Sequence, residues 1–278
     1  MNNTNKLPVS VFIITKNEAD RVASSINSVI DWVDEVLVID SGSNDNTIEV
    51  AEKCGAKTVF NEWKGFVAQK VFGESICKNN WILNIDADEQ VSKELAQEIK
   101  EIFAKQSEPK CKAFRLRIKN FHYLDDRIKS YSYENTPIRL YNINYANFNN
   151  DKKGLCHDSV LLKENYDQKD VILLKNLIIH KSIRSLSHML EKANYYTSLQ
   201  AEELNKKNRK VSKFRIVIEI FSAFFKIYFF RRYFLYGFIG FIDSIVFAFT
   251  KFLRLAKLYE LQRREDLNKI SRGTFYEK

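Results

Sequence analysis

The sequence predicts an α/β fold on a mostly parallel sheet, followed by a basic, aromatic helical tail. Two observations predict the sheet. Four short β-branched, apolar runs alternate with helix-like segments in the first hundred residues. Their cores are apolar at successive positions rather than alternate ones, which marks strands buried on both faces. The tail is predicted by a change of composition near residue 208, where Lys and Arg become interleaved with Phe, Ile and Tyr.

The elements follow in order. VSVFIIT (9–15) is a strand ending at Lys16-Asn17-Glu18, and a helix pattern runs on to about 30. EVLVID (35–40) is the second strand. A helix over 43–54 is expected to take Ser43 or Asn44 as its cap, since short polar side chains accept from the free N–H groups of a first turn. A short strand at 57–60, a helix at 64–77, the strand WILNID (81–86) and a helix at 92–104 complete the repeat. In such sheets ligands bind beyond the carboxyl ends of the strands, here 15–18, 40–45 and 86–89. Past Glu108, AFRLRIKNF (113–121) and PIRLYN (137–142) alternate like half-exposed strands, and VILLKNLIIH (171–180) is another. The stretch 142–158 is polar and rich in Asn, and 185–207 reads as a polar helix.

Composition narrows the classes. The chain has 278 residues, 45% of them apolar and 28% charged, with 21 Phe but only 8 Gly and 3 Pro. That is globular and mostly regular structure. The net charge of +9 is uneven: residues 1–110 hold 12 Lys and Arg against 18 Asp and Glu, whereas 205–278 hold 17 against 6. Basic side chains set among aromatic ones favour an anionic membrane over nucleic acid as the partner. The four cysteines are widely spaced, as buried free thiols are, and form neither a zinc motif nor a disulfide framework. MNNTNKLPVS has no apolar leader segment, so the expected place is the cytoplasmic face of the inner membrane, peripheral or monotopic.

The strongest chemical signal is Asp86-Ala87-Asp88-Glu89 at the end of a buried strand. Side chains two apart on extended backbone point the same way. Two carboxylates there make a hard-oxygen site for Mg²⁺ or Mn²⁺, although a solvated acidic loop or helix cap has the same spelling. Asp40-Ser41-Gly42-Ser43 closes the second strand; its Asp suits a base or ribose, and a plain turn also explains Gly42 and Ser43. Thr15-Lys16-Asn17-Glu18 is weak alone.

Together VSVFIITKNEA, VLVIDSGSNDNT and WILNIDADE resemble the donor half of family 2 glycosyltransferases of the GT-A fold. KNF, RLYN and GLCHDSV further resemble the subgroup that glucosylates an inner-core heptose of lipopolysaccharide. Two departures are visible. The subgroup's V-H-E reads Cys156-His157-Asp158, and D-S-G-S replaces D-D-G-S. The resemblance implies a nucleotide pocket lined by Thr15 and Glu18, a base contact from Asp40, a donor contact from Lys70, a ribose contact from Asp86 and a metal ligand in Asp88. It implies a catalytic domain over 1–208, with a donor half at 8–108 and an acceptor half at 109–208, and UDP-glucose as the donor. An inverting displacement needs a base opposite the leaving group, and Asp158 is assigned to it; a loop carboxylate paired with a lysine is the alternative. His180 could complete the metal shell, or be a plain strand-end histidine. His157 would orient or touch the acceptor, and Arg139 could hold an acceptor phosphate or the diphosphate through its fork, or be an ordinary surface arginine.

In 214–230, Arg215, Glu219, Ser222 and Lys226 recur at helical spacing in one stripe, with all else apolar. Residues 233–250 are charge-free but for Asp243, short for a span. The region 209–278 reads as a monotopic hairpin lying in the membrane interface, against a true span or packing on the catalytic domain or a partner. A lipid-linked acceptor would account for it. Competing readings are a transferase for another surface polysaccharide or glycolipid, a sugar nucleotidyltransferase, and a non-catalytic membrane scaffold. The glycine-free TKNEA turn argues against the second, and Asp40, Asp86, Asp88 and Asp158 against the third.

Overall fold

A computed structural model describes residues 6–104, 109, 111–124, 134–148, 159–164 and 166–274. Two compact units divide the chain, Met1–Ser182 and Ile183–Lys278. The sequence boundary was placed at 208, whereas the helix after 185 belongs to the second unit.

The first unit opens with strand β1 (Leu7–Thr15), helix α1 (Val22–Asn27), β2 (Val33–Asp40), α2 (Thr47–Lys53), β3 (Lys57–Phe60), α3 (Phe66–Ser75) and β4 (Trp81–Asp86). β1 pairs in parallel with both β2 and β4, and β2 with β3. Period-two alternation divides the apolar strand residues between two cores. Val9, Val11 and Ile13 face a core shared with Val22, Ile26 and Leu95, while Phe12 and Ile14 face the side of Phe66 and Phe72 on α3.

After β4 come β5 (Glu89–Val91), α4 (Lys93–Ala104), β6 (Ala113–Asn120), β7 (Glu134–Asn135), β8 (Ile138–Asn142), β9 (Ala146–Phe148), β10 (Val160–Leu162) and β11 (Val171–His180). The sheet order is β3-β2-β1-β4-β8-β6-β11-β5, with β7 beside β6, and β9 and β10 form a separate ribbon. The second half is mixed: β8 runs antiparallel to β4 and β6, and β11 is parallel to β6 but antiparallel to β5. Strands β5, β7, β9 and β10 were not anticipated. Each has two or three residues, too few to show a period, and exists only through its pairing partner. The α2 cap is a second difference. The helix starts at Thr47, after Asn46, because the Ser43 side chain is engaged by Asp40.

The second unit is helical. α5 (Leu186–Lys206) is capped by Ser185, whose hydroxyl accepts from His188 N–H. α6 (Lys213–Phe225) is capped likewise by Ser212, a π-helical turn spans Lys226–Phe230, and a 3₁₀ turn spans Tyr233–Tyr236. α7 (Phe238–Thr274) then runs through Asp243, the one charge within 233–250. Asp243 is buried there, and Ser244 satisfies its hydroxyl on Gly240 O at 2.6 Å. Lys257 Nζ pins α7 to α5 by donating to Asn194 O, Asn194 Oδ1, Thr197 Oγ1 and Ser198 Oγ, at 2.6–2.9 Å. Among the described residues no helix is long and apolar enough to cross a membrane, so the spanning alternative does not match this structure.

Candidate active site

Sheet register gathers the three strand-end motifs. Thr15 lies opposite Asp40 and Ile14 opposite Asp86, so β2, β1 and β4 finish on one edge. Asp40 is almost fully buried and shapes its own loop. Its Oδ2 accepts from Gly42 N–H at 2.8 Å and Ser43 N–H at 2.9 Å, and its Oδ1 accepts from Ser43 Oγ at 2.5 Å. Gly42 holds φ +94°, a conformation that a Cβ would strain. Asn17 stands at φ 57°, where asparagine is tolerated. Its N–H donates to Ser43 Oγ at 2.9 Å, and its Oδ1 accepts from Asn44 N–H at 2.8 Å. Glu18 N–H donates to Thr47 Oγ1 at 2.8 Å. The two loops are thus tied together by Asn, Ser and Thr. Ser41 belongs to the same tie, donating from N and Oγ to Thr15 O at 3.1 Å. Thr15 Oγ1 is buried and, among the described residues, has no hydrogen-bond partner.

The carboxylates of the DADE motif have different partners. Asp86 is gripped from two sides, by Lys70 Nζ on Oδ1 at 3.0 Å and Arg139 Nη2 on Oδ2 at 2.9 Å. Burial pushes its pKa upward, but Arg139 and Lys70 outweigh that and hold the carboxyl well below the usual range. Lys70 also lies 5.8 Å from the Phe148 ring centroid. Glu89 is buried; its Oε1 accepts from Arg139 Nη2 at 2.8 Å and its Oε2 from Asp86 N–H at 3.0 Å. Arg139 Nη1 donates to Asn84 Oδ1 at 2.6 Å. The Arg139 fork, expected to hold a phosphate, is thus turned onto Asn84, Asp86 and Glu89.

Asp88 faces another set. His180 Nε2 is 3.3 Å from its Oδ2, and Arg21 Nη1 is 3.6 Å away. Burial raises the Asp88 pKa, yet the hydrogen bond and charge of His180 bring it below the ordinary value, with Arg21 helping. Burial alone would lower His180; the Asp88 bond and charge reverse this and raise it. Arg21 is itself oriented, donating from Nε to Glu18 Oε2 at 2.8 Å and from Nη1 to Lys181 O at 2.8 Å. His180 is delivered by the pairing of β11 with β5, which sets it opposite Glu89.

Of the sequence-predicted residues, Thr15, Glu18, Asp40, Lys70, Asp86, Asp88, Arg139 and His180 converge on this sheet edge. His157 and Asp158 lie outside the described residues. Arg21, Asn84 and Glu89 were not assigned. Glu89 adjoins the acidic pair in the sequence and Arg21 stands three residues past Glu18, but nothing local says what they meet. Among the described residues no three His, Cys, Asp or Glu side chains form a metal cage. Asp88 and His180 supply one oxygen and one nitrogen donor. Mg²⁺ and Mn²⁺ suit such a set, since they commonly take one or two protein ligands and complete the shell from substrate phosphates and water.

Comparisons with known proteins identify the family. Residues 10–169 match Glycosyl transferase family 2. A glycosyltransferase of Rickettsia felis is 47% identical over 91% of this chain and 89% of its own length. The lipopolysaccharide core biosynthesis glycosyltransferase LpsC of Rhizobium meliloti is 24% identical over 92% of this chain and 93% of its own. Among solved structures, S. aureus TarS 1-349 in complex with UDP-GlcNAc aligns over 86% of this chain and 90% of that one, with a TM-score of 0.47 and 14% identity. The family match, the relative at 47% identity and the strand-end carboxylates lead to one conclusion: the chain belongs to glycosyl transferase family 2 and is a glycosyltransferase.

Proposed function

We propose that the chain transfers a hexose, glucose from UDP-glucose, with inversion to a lipid-linked saccharide of the lipopolysaccharide-core type, at the cytoplasmic face of the inner membrane. The observation that carries the donor site is the division of the DADE carboxylates. Asp86 is immobilised between Lys70 and Arg139, and Asp88 is left to His180 and Arg21 at the ligand edge of the sheet. Asp88 and His180 would hold Mn²⁺ or Mg²⁺, which would neutralise charge developing on the leaving diphosphate. Lys70 keeps a buried cation beside the donor phosphates, and Asp86, locked in place, meets the ribose without reorganising. Arg21 restrains Glu18 and Asp88 so that the nucleotide pocket enters the reaction already shaped. Thr15 Oγ1, buried without a partner, has a hydrogen bond left to give to the nucleotide. Asp158 takes the proton of the acceptor hydroxyl as the bond to the anomeric carbon forms.

The acceptor rests on LpsC, whose name places it in lipopolysaccharide core biosynthesis, and on the helical unit. Phe214, Phe221, Phe225, Phe230 and Phe238 are exposed there, an apolar surface larger than water favours. The deciding experiment offers UDP-, GDP- and CDP-sugars to the enzyme with Mn²⁺, Mg²⁺ or EDTA and follows nucleotide release and binding. Metal-dependent turnover or binding of UDP-glucose, lost in Asp88→Asn, is expected. A protein that neither hydrolyses nor binds any uridine nucleotide with metal present would refute the donor assignment.

A further inference from the structure

Helix α6 exposes large apolar side chains as well as its polar stripe. A surface helix normally buries its large apolar side chains and exposes its polar ones. Here Phe214 is 74% exposed, Phe221 63% and Phe225 56%. The contact with α7 is made by the small Ala223 and by Ile227, against Ala248. Small residues let the two backbones approach; Phe224 and Tyr233 pack against this contact, and the rings of Phe214, Phe221 and Phe225 stay outside. The exposed ring surface continues through Phe230 and Phe238.

Four cations stand on the elements that carry this surface and its α7 partner. Lys226 caps α6, Arg231 ends the π-helical turn, and Lys251 and Arg254 lie one turn apart on α7. Lys251 follows Ala248 by three residues, which continues the α7 face that meets Ala223 and Ile227. Arg254 Nε is buried and, among the described residues, has no hydrogen-bond partner. Burial lowers the Lys251 pKa, and the charges of Arg254, Arg231 and Lys226 lower it further. Glu219 opposes them at Lys251, and buried Asp243 acts with Arg231 on Tyr233. The partial negative charge of a helix end accounts for Lys226 and Arg231. It does not account for Lys251 and Arg254, which come from the interior of α7. Like charges held together with an unused buried donor call for an anion with several acceptor oxygens. The neighbouring rings call for one attached to an apolar body.

We propose that Lys226, Arg231, Lys251 and Arg254 form a phosphate-binding cluster that takes the headgroup phosphate of an anionic lipid, whose acyl region meets the exposed phenylalanine surface of α6 and the α6–α7 connection. This rests on the membrane reading above and adds a site and a lipid class to it. The rings anchor the protein to any bilayer, and the cluster selects anionic ones.

The test uses the full chain and sedimentation with vesicles of phosphatidylcholine alone or mixed with phosphatidylglycerol. Lys251→Gln with Arg254→Gln removes half of the cluster. Lys210→Gln with Arg263→Gln removes the same charge elsewhere on the same unit. At roughly fivefold per basic residue, the cluster variant should bind anionic vesicles about 30-fold more weakly. Its phosphatidylcholine binding should be unchanged, and the control variant should keep most of its anionic preference. Restoring charge with Lys251→Arg and Arg254→Lys should recover binding, which separates loss of the site from loss of the fold. Equal losses in the cluster and control variants would overturn the site while leaving the membrane reading intact. No binding by the native protein to any vesicle would remove both. A third arm titrates inorganic phosphate without vesicles. A thermal shift saturating at low phosphate and lost in the cluster variant, without vesicle selectivity, would assign the cluster to a free phosphate and overturn the lipid.

Discussion

Replacing Arg139 by methionine tests whether the donor site is held together by its buried charges. Arg139 is 9% exposed and makes three short contacts: 2.6 Å to Asn84, 2.9 Å to Asp86 and 2.8 Å to Glu89. Methionine fills part of the volume and returns none of the donors. Asp86 keeps Lys70, but Glu89, which is 1% exposed, is left with the Asp86 N–H. Removing one partner of a buried pair costs about 3–5 kcal/mol, because the other charge stays desolvated. At about 2–4 °C per kcal/mol for a domain of this size, the expected fall in Tm is roughly 6–20 °C at pH 7, read by circular dichroism. The pH dependence has a definite sign. Burial raises the Glu89 pKa in the folded protein, and Arg139 is the main group that lowers it. Without Arg139 the folded protein binds a proton there more readily than the unfolded chain, so the variant recovers stability as pH falls toward the ordinary glutamate range. Adding Glu89→Gln to Arg139→Met should recover much of the loss at pH 7. A single variant within 2 °C or so of native, or a double variant no better than the single, would refute the reasoning.

Four further outcomes are expected. Gly73→Ala should lower the urea midpoint by about 1–3 kcal/mol of stability, since its Cβ would sit 2.7 Å from Phe12 Cδ2 and 3.2 Å from Ile39 Cγ1. Glu74→Gln should match or exceed native stability at pH 7. Burial raises the Glu74 pKa, so native stability falls as pH rises from the unfolded value through the folded one, and glutamine removes that slope while still accepting from Tyr141 Oη and Phe148 N–H. Gly240→Ala should unfold the start of α7, detected as lost amide protection there, because its Cβ would collide with the Tyr233 carbonyl. Mn²⁺ affinity in the presence of UDP, read by electron paramagnetic resonance, should rise with pH through the His180 pKa, which burial would lower but Asp88 raises above the ordinary histidine value. The Asp88 ion pair is full below that range and lost above it, and the metal takes neutral imidazole; His180→Gln should flatten the profile.

The sequence by itself determined the parallel half of the sheet and the positions of its motifs. β1, β2 and β4 are apolar throughout, which only a strand buried on both faces sustains, and a parallel sheet places its ligands at the ends of such strands. Thr15, Asp40, Asp86 and Asp88 could therefore be located without coordinates. The polar helix beginning near 185 was legible as a segment, and the structure caps it with Ser185. Tertiary structure decided which charges meet. Arg21 to Lys181 spans 160 positions and Arg139 to Glu89 spans 50, and no local pattern encodes a partner at that distance. It also decided the pairing of β5 with β11 that brings His180 to Asp88, and the use of Arg139 for the protein's own carboxylates rather than a phosphate. In the helical unit the sequence supplied the stripe of Arg215, Glu219, Ser222 and Lys226. Which of the apolar residues would face inward depended on α7, which selected Ala223 and Ile227 and left Phe214, Phe221 and Phe225 exposed, because only a packing partner decides which face is buried.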